Sequence, residues 1–315
     1  MDSRPDTGSR LPVIVGPTAV GKSDFLFSIL DERFEVISAD SMQVYRGMDI
    51  GTAKPSRADL SRLPHHLLDI VEPSRQFSAG EFVRRADGLV ADIRARGKVP
   101  VVSGGTGFYL RTFLYGVPES PPSDPGVRRR LQDLEREKGT PWLHELLAAR
   151  DPEAARRVPA NDRHRVLRAL EVLETTGRSV YSFAWPSFPR KDHEFLVIGL
   201  DRPRGDLYRR IEARVDGMFQ EGLVDEVKRL LEAGFGPRDP GMRGIGYREF
   251  LSMRKGCLGF GQVREMVKAD SRRYAKRQLT FLRAIPEVRW FDAREPAAAR
   301  DAIAAFLGMG LPVPS

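Results

Sequence analysis

The residue types best suited to chemistry gather at three points of the 315-residue chain, each at the end of a short apolar run. The first is Gly16-Pro17-Thr18-Ala19-Val20-Gly21-Lys22-Ser23, which has the spacing G-x-x-x-x-G-K-[ST] and lies after the apolar run Leu11–Val15 and before Ser23–Leu30, a stretch of helical character. Its glycines let the backbone curl so that successive N–H groups face one anion, and a helix N-terminus adds partial positive charge. Lys22 brings a full charge toward the outer phosphates, and the Ser23 hydroxyl can hold Mg²⁺. The motif specifies a phosphate compound without saying which. The second point is Asp40-Ser41, after the run Glu35–Ala39. A carboxylate at the carboxyl end of a strand can bind metal, orient a nucleophile or accept a proton, or simply cap a turn. The third is Gly104-Gly105-Thr106-Gly107, after Val99–Ser103. Its glycines permit close approach of a substrate, and Thr106 offers a hydroxyl at the same edge. A motor-type ATPase would often carry a metal-binding acid there, so a run ending in serine argues against that class.

Other residues speak for less. His65-His66 are adjacent, and adjacent side chains rarely share one ligand face, which disfavours zinc. Cys257, the single cysteine, excludes an intramolecular disulfide framework and a cysteine-rich metal site, fits a reducing compartment, and has no nearby His to make it a nucleophile. Trp142, Trp185 and Trp290 read as core or interface anchors.

Short strands alternating with helices position these groups. Together with a helix over Ala79–Arg96, which carries Phe82, Ala86, Leu89, Val90 and Ile93 at helical spacing, they predict a parallel sheet with helices on both faces. Pro118, Pro121, Pro122 and Pro125 then break the chain. Arg128–Lys138, Pro141–Arg150, Pro152–Arg156 and Asn161–Thr176, with Asn161 as N-cap, follow as helices. Residues 118–190 thus read as an all-helical insertion between two parts of one core, residues 1–117 and 191–315. The second part holds a strand at Phe195–Leu200, helices at Arg204–Gln220, Val224–Ala233 and Gly259–Arg283, a short strand at Val288–Phe291 and a closing helix at Ala297–Leu307.

The chain is 41% hydrophobic and 30% charged, the balance of a folded domain, and its longest apolar runs are too short to cross a bilayer. The first ten residues lack an apolar signal core, so a cytoplasmic protein is expected. The net charge of +8, carried by nine lysines and 42 arginines against 43 acids, is unevenly placed. Residues 1–115 carry net +1, whereas Arg243–Arg283 holds 11 basic and three acidic residues. A solvated helical face would account for such a block, and so would a nucleic-acid footprint.

In their order along the chain, GPTAVGKS (Gly16–Ser23), ISADSMQVY (Ile37–Tyr45), GMDIGTAKP (Gly47–Pro55), PHHLLDI (Pro64–Ile70), GGT (Gly104–Thr106), NDRHRVLRALEV (Asn161–Val172), RGIGYR (Arg243–Arg248) and YAKRQLTFLR (Tyr274–Arg283) resemble the tRNA dimethylallyltransferases, or isopentenyl-diphosphate:tRNA transferases. The resemblance spans residues 11 to 291, with departures at Arg272-Arg273, where the family usually has Arg-Gln, and at Phe281, where it has Trp. It implies a P-loop NTPase-like parallel sheet flanked by helices, and a prenyltransferase. The reaction would carry a dimethylallyl group from dimethylallyl diphosphate to N6 of the adenosine 3′ of the anticodon (position 37), in tRNAs that read codons starting with U. Asp40 would be the general base and Thr106 a hydrogen-bonding catalytic partner; Gly16, Pro17, Thr18, Ala19, Val20, Gly21, Lys22 and Ser23 would grip the diphosphate, with Mg²⁺ on Ser23. Contacts to the tRNA anticodon stem-loop would come from Asp40, Ser41, Met42, Gln43, Thr106, Arg128, His164, Arg165, Val166, Leu167, Arg168, Arg243, Gly244, Ile245, Gly246, Tyr247 and Arg248. The expected working unit is a monomer. Two other classes share some of these residues. An ATP-dependent small-molecule kinase has the loop and strand-end acid but leaves the basic block and the insertion unexplained. A non-catalytic RNA-binding protein would keep tRNA binding and have no turnover to lose.

Overall fold

The computed structural model describes residues 9–253 and 259–313. Cys257 and the basic pair Arg254-Lys255 lie outside the described residues. The chain divides into two compact units. One runs up to Leu114 and resumes at Arg190; the other is Tyr115–Pro189.

The first unit opens with β1 (Arg10–Val15), α1 (Lys22–Ile29), β2 (Phe34–Ala39), α2 (Arg57–Arg62), β3 (His65–His66), α3 (Ala79–Ala95), β4 (Val99–Gly104) and α4 (Gly107–Tyr115). The second unit holds α5 (Pro125–Lys138), α6 (Thr140–Arg150), α7 (Pro152–Arg157) and α8 (Arg163–Thr176). The first unit then continues with β5 (Glu194–Asp201), α9 (Arg204–Gln220), α10 (Leu223–Glu232), α11 (Arg248–Met253), α12 (Phe260–Leu282), β6 (Val288–Asp292) and α13 (Pro296–Leu307).

The six strands form one parallel sheet in the order β3-β2-β4-β1-β5-β6. Every residue of β2 and β4 is buried, and five of six in β1. That is why these strands read as continuous apolar runs rather than alternating ones: helices cover both faces. Ile14, Phe34, Val36 and Ile198 of the sheet pack with Phe25, Leu26 and Ile29 of α1 and Ile303 of α13. The helical unit has its own core of Leu131, Leu143, Leu147, Val166, Leu167 and Leu170. Its last helix is capped by Asp162, whose side chain accepts the Arg165 N–H at 3.1 Å, and not by Asn161, which lies in the preceding turn. Trp142 is 36% exposed, with Lys138 over its ring, so it is not a core anchor.

β3 was hidden because His65-His66 has no apolar signature. His66 Nε2 meets the buried Glu35 carboxylate at 2.6 Å, and Arg96 reaches the same oxygen at 2.6 Å. Burial pushes the Glu35 carboxyl up, and these two partners outweigh it, holding the group below its ordinary value.

β2 and β4 meet most closely where the site begins. Ala39 and Gly104 are paired across the two strands, and a Cβ at Gly104 would stand 2.2 Å from the Ala39 carbonyl oxygen. Backbone cannot yield there as a flexible side chain would. Gly104→Ala is therefore expected to cost about 1–3 kcal/mol or more, as overpacking does, and to displace the strand end that bears Asp40. A calorimetric melt checks this, and an unchanged melting temperature would contradict it.

Candidate active site

Residues 16–21 leave β1 and turn into α1 through Ala19, at φ 61°, and Gly21, at φ 107°. Gly21 takes the N-cap position, so the first backbone N–H groups of α1 point toward the loop. Lys22 Nζ donates to the carbonyls of Gly16 and Pro17, each at 2.9 Å. Arginines on and just before α9 brace the loop from outside. Arg202 Nε donates to the Val20 carbonyl at 2.6 Å, Arg210 Nε to the Ala19 carbonyl at 3.0 Å, and Arg214 Nη1 to the Thr18 hydroxyl at 3.1 Å. Burial pushes the Lys22 ammonium down to about 8; the Asp40 charge opposes this and the Arg214 charge adds to it.

Asp40 follows β2 and caps its own turn: Oδ1 accepts the N–H of Met42 at 2.8 Å and of Gln43 at 3.2 Å. Thr106 Oγ1 accepts the Ser41 N–H at 2.9 Å and donates to the Ser41 hydroxyl at 3.3 Å, which joins the ends of β2 and β4. Gln278 of α12 spans the first and third loops. Its Oε1 accepts the Thr18 N–H at 2.8 Å, and its Nε2 donates to the Gly105 carbonyl at 2.9 Å. One turn earlier, Tyr274 lies within hydrogen-bonding reach of Thr106 and Gln278. Burial and the nearby Asp40 charge push its phenol up to about 12, so it stays a neutral donor. Gly107 allows Phe281 to close in from the same helix, since a Cβ there would stand 2.4 Å from that ring.

One cavity of about 700 Å³ is lined by Thr18, Ala19, Gly21, Lys22, Ser23, Asp40, Ser41, Met42 and Gln43, by Gly105, and by Arg214, Arg243, Gly244, Ile245, Arg248, Tyr274, Arg277 and Gln278 among others, while Thr106 lies behind it, hydrogen-bonded to Ser41. Six cationic side chains face it (Lys22, Arg210, Arg214, Arg243, Arg248, Arg277) against the carboxylates of Asp24 and Asp40, a potential suited to a diphosphate and to nucleic-acid phosphates. Ser23 is exposed at the first turn of α1. A hard cation such as Mg²⁺ keeps several waters and takes one or two protein oxygens beside substrate phosphates. The Ser23 hydroxyl and the Asp40 carboxylate are oxygen donors of that kind, so the donor set fits. Among the described residues no group of three or more His, Cys, Asp or Glu could cage a metal without such a substrate.

The remaining sequence-predicted residues separate by burial. Val166 and Leu167 are fully buried in the helical unit and Tyr247 in the first unit, so their side chains face the core. Gly246 sits at φ 92°, which favours glycine, and Gly244 lets Met42 approach, since a Cβ there would stand 2.3 Å from its terminal methyl. His164 and Arg165 are exposed on the first turn of α8. Arg128 and Arg168 both donate to the fully buried Glu171 carboxylate, at 3.1 and 3.0 Å, so one hidden acid orients two arginines. The basic stretch 243–283 is not one solvent-facing surface. Lys268 pairs with Asp216 at 2.8 Å, Arg272 with Glu212 at 2.5 Å, and Arg248 with Asp270 at 2.6 Å, while Arg277 lines the cavity. Arg214 and Glu226 belong to no motif of the sequence, and Tyr274 and Gln278 lie in the YAKRQLTFLR stretch without an assigned role. Arg210 and Arg214, one turn apart on a predicted helix, were the available signal for the first.

The IPP transferase family profile matches residues 43–285. Over 294 residues the chain is 43% identical to the tRNA dimethylallyltransferase of Geobacter sulfurreducens, covering 93% of this chain and 94% of the relative. It is 45% identical to that of Syntrophobacter fumaroxidans, covering 90% and 84%. Among solved structures, the full-length tRNA isopentenylpyrophosphate transferase of Bacillus halodurans superposes with a TM-score of 0.68 at 38% identity, over 95% of this chain and 97% of that one. A eukaryotic dimethylallyltransferase acting on tRNA does so with 0.77 at 29%, over 94% and 78%. On the loop, the strand-end acid and these matches together, the chain belongs to the IPP transferase family, the tRNA dimethylallyltransferases.

Proposed function

We propose that this protein transfers a dimethylallyl group from dimethylallyl diphosphate to N6 of the adenosine 3′ of the anticodon in tRNA. The observation that carries the reading is that a phosphate-binding loop and the Asp40 carboxylate open into one cavity. The loop N–H groups, Lys22 and Arg214 grip the diphosphate. The bond from the allylic carbon to the diphosphate oxygen breaks and its electron pair leaves with the diphosphate; no phosphoryl group moves. The N6 lone pair forms the new carbon–nitrogen bond, and the N6 proton passes to the Asp40 carboxylate. Fixed cations at the leaving group are effective because they meet charge that develops in the transition state. The Ser23 hydroxyl would hold a Mg²⁺ ion, which would supply further charge neutralisation at the diphosphate. Thr106 fixes the Ser41 backbone and so the turn that aims Asp40.

The target base lies in a single-stranded loop, where it can be splayed into a protein pocket at little unpairing cost. Exposed arginines of the helical unit and of residues 243–283 set the register of the stem-loop through its phosphates. The enzyme works in the cytoplasm as a single chain. Arg165→Ala is expected to weaken tRNA binding alike for all accepted tRNAs and to reduce the salt-dependence slope by about one. Binding isotherms at several salt concentrations check this, and an unchanged slope would remove Arg165 from the phosphate contacts. The reading itself is tested with labelled dimethylallyl diphosphate and two tRNA transcripts that differ at the base 3′ of the anticodon. Label should enter the adenosine transcript and not the guanosine one; equal labelling would refute the assigned acceptor.

A further inference from the structure

α10 carries an acid with no direct part in the reaction. Glu226 is 1% exposed. Its Oε2 accepts the backbone N–H of Asp49 and of Ile50, each at 2.8 Å. Its Oε1 accepts the Gly51 N–H at 3.1 Å and the Tyr247 hydroxyl at 2.7 Å. Four donors converge on one buried group, a match for the acceptor-only chemistry of a carboxylate. Burial and the Glu226 charge push the Tyr247 phenol up, so it remains a donor. The packing is equally tight: a Cβ at Gly51 would stand 2.6 Å from the Tyr247 ring.

The anchored segment runs on into Thr52 and Ala53, whose carbonyls accept the two N–H bonds of the Gln43 amide at 3.2 and 3.1 Å. Ala53 lies at φ 48°, in the left-handed region. A residue with a Cβ persists there only where its surroundings over-determine it. Lys54 helps to hold it, donating to the Tyr45 carbonyl at 2.6 Å and to Asp49 at 2.7 Å. Gln43 in turn gives its backbone N–H to Asp40 Oδ1. Hydrogen bonds joined by two short covalent segments, the backbone from Gly51 to Ala53 and Gln43 itself, therefore lead from Glu226 to the carboxylate in the cavity.

We propose that Glu226 is a positioning residue for prenyl transfer: by fixing residues 49–51 it sets the 52–53 carbonyls that hold Gln43, and through Gln43 it aims Asp40. The proposal rests on the prenyl-transfer reading above. It is tested by a double-mutant cycle of Glu226→Gln with Gln43→Ala, measuring steady-state prenylation of tRNA and thermal melting. Glu226→Gln is expected to lower kcat by up to about 10²-fold, as a misplacement near 1 Å can, and to raise KM for tRNA while KM for dimethylallyl diphosphate holds. The double variant should be no worse than the weaker single variant to within about twofold, the ordinary precision of such cycles. Losses that multiply would overturn the positioning role, as would a fall in melting temperature and active fraction with both KM values unchanged. Should Glu226→Gln not fold, Tyr247→Phe, which removes one of the four donors and keeps the ring, replaces it in the same cycle with the same criteria. A wild-type protein that prenylates no tRNA would overturn the underlying reading; wild-type turnover with multiplying losses would overturn the positioning role alone.

Discussion

Asp40→Ala is expected to lower the rate of prenyl transfer by about 10²–10⁴-fold, the usual range for loss of a general base, while tRNA still binds. An adenine N6 amine is a poor nucleophile until a proton leaves it, and Asp40 is the carboxylate that the strand end brings into the cavity beside Lys22. Its Oδ1 also ties the N–H groups of Met42 and Gln43, so alanine removes a turn cap together with the base. Asp40→Asn separates the two roles: the amide oxygen can still accept those bonds but cannot take the proton. If the chemistry is as described, both variants lose turnover to a similar degree. Normal turnover in Asp40→Asn would reduce Asp40 to a turn cap. Loss of tRNA binding in Asp40→Ala, together with loss of turnover, would favour a binding role for the same residue. Pre-steady-state single-turnover rates and filter binding on the same preparations distinguish these outcomes.

Lys22→Met is expected to have the next largest effect, a fall in kcat/KM for dimethylallyl diphosphate of about 10²–10³-fold, comparable to losing one preorganised donor at a developing anion. The effect carries a pH signature. Burial holds the Lys22 ammonium near 8, below its ordinary 10.5, so the free protein loses this charge as pH rises through about 8. A bound diphosphate favours the charged form, and binding should therefore take up a proton at and above about pH 8. Titration calorimetry in buffers of different ionisation enthalpy reads that uptake; it should be present in the wild type and absent from Lys22→Met. Binding enthalpies that do not depend on the buffer would contradict the assignment. For folding, the sign runs the other way from a salt-bridged lysine. Between about 8 and 10.5 the unfolded chain holds more protons on this group than the folded one, so its contribution to stability rises with pH across that window.

Much of this arrangement is legible in the sequence because its signals are local. Gly16–Ser23 announces a phosphate loop by spacing alone, and β1, β2 and β4 announce a doubly covered sheet by being apolar throughout. Asp40 and Thr106 are marked by their places at the ends of β2 and β4. The elements that were hidden lack such marks. β3 is two histidines long, α2 depends on a six-residue segment with a Ser56–Asp59 capping box, and α4 begins at Gly107, which the sequence presents as part of a glycine turn. The rest of the site was hidden for a different reason. Gln278 meets Thr18 across 260 residues, Arg214 meets the same residue across 196, and Glu226 meets the 49–51 backbone across more than 170. No periodicity or spacing records a partnership made only when α9, α10 and α12 close over the sheet edge. The same closure explains why the net charge of residues 243–283 overstates their free surface, since part of it is spent on the acids of α9.

In this reaction the diphosphate leaves intact and the carbon chain goes to N6. Wild-type protein incubated with Mg²⁺, dimethylallyl diphosphate and unmodified tRNA, followed by mass spectrometry of the digested nucleosides and assay of released diphosphate, tests it most directly. N6-(dimethylallyl)adenosine and diphosphate are expected in equal amounts. Unmodified adenosine, with phosphate passing instead from ATP to a small metabolite, would contradict it.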